Sequence, residues 1–168
     1  VNEGKIFKSD LLINENLISE ISEDIPIKDH YKIINAENKV LIPGVIDDQV
    51  HFREPGLTHK ATINSESKAA VAGGITSYIE MPNTIPQTTT LKALEDKFEL
   101  AKNSSYANYS FMFGGTNENI EEIKKLDTKK VAALKLFLGS STGNMLVDDQ
   151  KVLKEIFENT DLLIAVHS

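Results

Sequence analysis

The run Val40-Leu41-Ile42-Pro43-Gly44-Val45-Ile46 has no alternation of apolar and polar residues, and it ends in Asp47-Asp48-Gln49-Val50-His51-Phe52-Arg53-Glu54-Pro55-Gly56. A strand with one wet face alternates with a period of two. An unbroken apolar strand is expected where both faces are buried, as in a parallel sheet covered by helices. That points to an α/β class. In the polar stretch that follows, the same period places Asp47, Gln49, His51 and Arg53 on one side and Asp48, Val50 and Phe52 on the other. A metal-capable imidazole and an anion-capable guanidinium then share one face at a strand end, where α/β folds build their sites.

Upstream of Pro43 the texture is β-rich. Asp10-Leu11-Leu12-Ile13 and Leu17-Ile18-Ser19-Glu20-Ile21 flank Asn14-Glu15-Asn16, turn chemistry for a hairpin. A second pair, Tyr31-Lys32-Ile33-Ile34 and Lys39-Val40-Leu41-Ile42, flanks Asn35-Ala36-Glu37-Asn38. Downstream, strand-like and helix-like segments alternate, the pattern of βαβ units. Helices are expected over residues 62–72, capped by Thr62 or Asn64 and closed by Gly73-Gly74, and from Thr90 through Leu91, Leu94, Phe98 and Ala101. Two more are expected around Ile120, Ile123 and Leu126, and around Val152, Leu153, Ile156 and Phe157. Later strands are expected over residues 75–81, 106–113, 131–138 and 162–166. The boundary near Pro43 separates a β-rich subdomain, residues 1–43, from a β/α region, residues 44–168.

A net charge of -7 without an offsetting basic cluster argues against a nucleic-acid partner or an anionic membrane surface. No apolar run is long enough to span a membrane, and the absence of cysteine removes disulfides and thiolate metal sites. The cytoplasm is the expected compartment. Any metal here must be held by imidazole, carboxylate or carbonyl groups.

The stretch Asp47-x-Gln49-x-His51-x-Arg53 resembles the first barrel strand of the amidohydrolase superfamily and, within it, of dihydroorotases. There an Asp-x-His-x-His signature binds metal and an Arg follows on the same face; here Gln49 stands for the first His, a weaker oxygen ligand for zinc than imidazole. The resemblance implies a small β-rich composite domain followed by a (β/α)8 TIM-type barrel, of which this chain supplies about the first five strands. A closed barrel needs eight strands. The chain, starting at Val1 and stopping at His167-Ser168 after an apolar run, is therefore expected to be part of a larger polypeptide.

Further site residues are expected at strand ends. Lys135 sits inside Val131-Ala132-Ala133-Leu134-Lys135-Leu136-Phe137-Leu138, where an ammonium is costly without a partner unless it snorkels to water. The resemblance implies that its amine is carboxylated and bridges two zinc ions. It also implies His51 and His167 as metal ligands, with Gln49 a further candidate and the first site less fully occupied because of it. Arg53 and Asn83, in Met81-Pro82-Asn83-Thr84, would hold a ring carboxylate; the bland alternative for Arg53 is a salt bridge to Glu54. The family's general base, an Asp, is expected beyond Ser168. His30 and His59 lie in loop contexts and are expected to be solvated. Gly139-Ser140-Ser141-Thr142-Gly143-Asn144 lacks the Gly-Lys-Ser/Thr ending of a phosphate loop and is expected to be a flexible βα loop.

The activity so implied is the metal-dependent, reversible hydrolysis of dihydroorotate to N-carbamoyl-L-aspartate in pyrimidine biosynthesis. Alternatives are another cyclic amidase, of allantoinase or hydantoinase type, and a catalytically silent scaffold subunit. Expected partners are a small-molecule substrate and either a second copy or another pyrimidine enzyme.

Overall fold

Glu15 adopts a left-handed backbone, φ 55°, which lets the chain reverse between β1 (Asp10–Asn14) and β2 (Leu17–Ser22). The strands pair antiparallel, Asp10 opposite Ser22 and Asn14 opposite Leu17, with an irregularity between Leu12 and Ile13. They lie in the first of two compact units, Val1–Pro43 and Gly44–Ser168, of a computed structural model that describes residues 4–139 and 143–168.

The second hairpin expected from the sequence does not form. Its turn does: Lys39 N donates to Ala36 O at 3.0 Å, Glu37 N donates to Asn35 Oδ1 at 2.8 Å, and Asn38 takes φ 60°. Residues 31–34 and 39–42 are not strands, and Ile33, Ile34, Val40 and Ile42 are exposed. Turn chemistry reverses a chain, but pairing also needs a face to bury, which two short isolated strands do not supply.

In the second unit, β3 (Val45–Val50), β4 (Ile75–Glu80), β5 (Asn108–Gly114), β6 (Ala133–Phe137) and β7 (Ile164–His167) form one parallel sheet in chain order. Between them run α1 (Ile63–Ala72), α2 (Leu91–Lys102), α3 (Ile120–Ile123) and α4 (Gln150–Glu158). This order of βα units is that of a partial (β/α)8 barrel. Local chemistry starts the longer helices: Thr62 and Ser65 exchange bonds in a capping box at α1, Thr90 Oγ1 accepts from Ala93 N at α2, and Asp149 accepts from Lys151 N at α4. Gly73 and Gly74, the latter at φ 91°, end α1.

The apolar run at residues 40–46 needs a correction. Only Val45 onward is strand, and Val45 and Ile46 remain exposed rather than buried on both faces. The reason is position: among the described residues β3 is an edge, hydrogen-bonded to β4 alone.

Helices cover one face of the sheet. Phe52, Tyr78, Phe111, Phe113, Leu134, Leu136 and Ile156 form the main core there, with Val50 packed against it. Met81, Met112 and Ala133 form a second, smaller cluster with Ile79 and Ala165. The alternation is regular, so Lys135, two residues from Ala133, and His167, two from Ala165, fall on the face of the smaller cluster. No helix among the described residues is long and apolar enough to cross a membrane.

Adjacent α4 residues separate core from surface, since Ile156 is fully buried and Phe157 is 55% exposed. Ile156→Ala should lower stability by about 2–5 kcal/mol, as buried aliphatic truncations do, whereas Phe157→Ala should cost less than about 1 kcal/mol. Denaturant titration of the two variants measures the difference.

Candidate active site

The loops after β3 and β4 meet at the strand ends. Gly56, at φ 84°, packs so tightly on Ile85 that any side chain there would overlap the Ile85 backbone. Ile85 N donates to Pro55 O at 3.1 Å. The loop carrying His51 and Arg53 is thereby pressed onto the loop carrying Asn83.

The His51 ring nitrogen Nδ1 lies 3.1 Å from Asn83 Oδ1. An amide oxygen only accepts, so Nδ1 carries the proton and Nε2 keeps its lone pair. Burial, then the Arg53 charge, push the imidazole below its ordinary pKa; the Asn83 contact opposes this, while the Lys135 and Lys97 charges reinforce it. The shift favours the neutral ring, the state in which imidazole ligates metals.

Arg53 adopts φ 69°, uncommon for a residue with a side chain. It lines a cavity of about 480 Å³ together with Leu57, Lys60, Asn83 and Gln87. The salt bridge to Glu54 is not made. Glu54 Oε2 instead accepts from Ile63 N at 2.7 Å, at the positive end of α1. Among the described residues no carboxylate forms a salt bridge with Arg53.

Lys135, 4% exposed, has its Nζ 5.4 Å above the Phe137 ring, and no salt bridge to it occurs among the described residues. Burial lowers its pKa, favouring the uncharged amine. It does not snorkel.

His167, opposite Phe137 in the β6–β7 register, packs its ring 5.8 Å from that of Phe137. Gln49 is exposed on β3, its backbone N–H donating to Asp47 Oδ1 at 3.1 Å. The fold therefore joins His51, Asn83 and Arg53 at one end of the sheet. It leaves His167 at the other edge. Among the described residues no three His, Cys, Asp or Glu side chains converge as a metal-binding group. Residues 140–142 of the glycine-rich loop lie outside the described residues.

Sequence reasoning missed a buried ion pair. Lys97 on α2 and Glu80 on β4 are 1% and 0% exposed, with Nζ and Oε2 3.1 Å apart. The signal was present: Lys97 falls in the buried helical stripe between Leu94 and Ala101, and Glu80 stands between Ile79 and Met81.

The chain is similar to known proteins along most of its length. It is 35% identical to a dihydroorotase of Methanosarcina mazei, over 95% of this chain and 36% of that protein. It is 54% identical to a dihydroorotase of Carboxydothermus hydrogenoformans over 51% of this chain and 20% of that one. Among solved structures, an L-hydantoinase (dihydropyrimidinase) from Arthrobacter aurescens superposes with a TM-score of 0.88 at 30% identity, covering 95% of this chain and 37% of that one. The chain thus spans little more than a third of the length of relatives that it matches nearly throughout. The family model described as dihydro-orotase-like aligns with residues 38–154, well over half of the sequence, and the chain belongs to that family.

Proposed function

We propose that this chain is the first β/α half, with part of the β-rich domain, of a dihydroorotase that interconverts dihydroorotate and N-carbamoyl-L-aspartate in pyrimidine biosynthesis. The observation that carries the reading is the arrangement around Arg53. Among the described residues its guanidinium forms no salt bridge with a carboxylate; it lines a cavity with Asn83 and stands next to His51, which bonds the same Asn83. A planar fork beside an amide donor suits a carboxylate on a ring. A substrate without that carboxylate would leave Arg53 without a role.

The donor set fits zinc in part. His51 and His167 offer imidazoles, and Lys135, buried and depressed in pKa, is suited to carboxylation, after which it is an oxygen ligand able to bridge two ions. Gln49 would supply a weak carbonyl ligand, so the first-strand position would be less fully occupied. Zinc, when bound, would lower the pKa of water and polarise the scissile carbonyl. The chain's own groups orient the substrate: Arg53 and Asn83 fix the ring, and Asn83 fixes the His51 tautomer. The general base would be an Asp outside this segment. A cytoplasmic location, and assembly with a second copy or with another pyrimidine enzyme, belong to the same proposal.

Gln49 favours a second reading, a silent scaffold, and the likeness to an L-hydantoinase favours another cyclic amidase. Turnover separates them. In the complete polypeptide, dihydroorotate should be hydrolysed in preference to hydantoin or allantoin, and Arg53→Met should lower kcat/KM for dihydroorotate about 10- to 100-fold, the worth of one charged hydrogen-bonding partner. Parental efficiency in that variant would remove the carboxylate role. Lys135→Ala should reduce bound zinc, read by metal analysis of the purified protein. Unchanged zinc would remove the bridging role.

A further inference from the structure

A buried ion pair contributes little net stability, because desolvating both charges offsets most of their attraction. The Lys97–Glu80 pair is therefore better explained by what it holds in place. The ammonium has three N–H groups and three oxygen neighbours: Met81 O at 3.0 Å, Thr88 Oγ1 at 3.3 Å and Glu80 Oε2 at 3.1 Å. Its fourth neighbour is the Phe111 ring, 5.2 Å to the centroid. Two of these oxygens bracket the loop that carries Asn83, which is further pinned by Thr88 N to Pro82 O at 2.9 Å and Gly114 N to Thr88 O at 2.8 Å.

Glu80 stands beside the other loop: it lies opposite Val50 in the β3–β4 register, three residues before Arg53, and Met81 N donates to Val50 O at 3.0 Å. Burial pushes the Glu80 carboxyl above its ordinary pKa, while the Lys97 charge and the backbone amides of Arg53 and Phe52 act the other way. The φ of 69° at Arg53 is costly for a residue with a side chain and persists only when its surroundings impose it.

We propose that the Lys97–Glu80 pair is a positioning device, Glu80 setting the backbone of Arg53 and Lys97 setting the loop of Asn83, so that the two meet one substrate carboxylate. This rests on the reading of Arg53 and Asn83 as carboxylate ligands. Neither Lys97 nor Glu80 touches the substrate; both act through the residues that do.

The test is a kinetic cycle on the complete polypeptide with dihydroorotate. It uses the parent, a neutral pair combining Glu80→Gln with Lys97→Met, a ligand variant combining Arg53→Met with Asn83→Ala, and all four substitutions together. The neutral pair should raise KM about ten-fold with kcat little changed, and in the ligand-variant background it should change KM by less than about three-fold, because its effect runs through Arg53 and Asn83. A general loss of structure would add to the ligand variant instead, and additivity overturns the proposal. A neutral pair with parental KM beside an impaired ligand variant overturns this inference alone. Parental KM in the ligand variant overturns the carboxylate reading and the inference with it. If the neutral pair does not fold, Thr88→Val removes one ammonium contact at nearly constant volume and should raise KM in the same direction; no change in KM there overturns the proposal.

Discussion

Each strand of the sheet offers its residues alternately to two faces, and helices take one of them. Tyr78, Phe111, Phe113, Leu134 and Leu136 are all within 1% of complete burial in the helix-side core. At roughly 1.5–3 kcal/mol for each large apolar side chain buried, that register cannot slip by one residue without turning the whole set outward. The remaining positions are then committed: Met112, Ala133, Lys135, Ala165 and His167 go to the opposite face. Lys135 and His167 are placed there as a consequence of packing on the other side.

At the strand ends the constraint passes from sheet to loops. Glu54 gives its carboxylate to the first amide of α1, which frees Arg53 from its neighbour in sequence. Gly56 lets that loop lie against Ile85, and Lys97 ties Glu80, at the end of β4, to Met81 O and Thr88 Oγ1, which bracket the loop of Asn83. Charged groups that look like surface residues in the sequence are internal ties, and Arg53, which lines the cavity, has no salt bridge among the described residues.

Much of this was legible in the sequence. The capping residues Thr62 and Thr90, the Gly73-Gly74 stop and the helical spacing of Leu94 and Ala101 all do locally what their chemistry dictates, so the βα rhythm could be read directly. The second hairpin could not, because turn residues at 35–38 specify only the reversal, while pairing depends on what the flanks can bury. The exposure of Val45 and Ile46 was hidden for a similar reason: an apolar run records what a strand can tolerate, and the number of neighbouring strands decides what it meets. His51, Arg53, Asn83 and Lys135 stood out by residue type and position. Lys97 and Glu80 were passed over because a charged residue in a helix is normally assigned to water. Only its place in the apolar stripe marked Lys97 as internal.

The most direct measurement is a crystal structure of the complete polypeptide with dihydroorotate bound. The ring carboxylate should lie within about 3 Å of the Arg53 guanidinium and the Asn83 side-chain amide, the distance of charge-assisted hydrogen bonds, with the scissile carbonyl directed to the face that carries His51 and Lys135. A ligand whose carboxylate meets other residues, leaving Arg53 facing solvent, would contradict the assignment of the cavity and the substrate together.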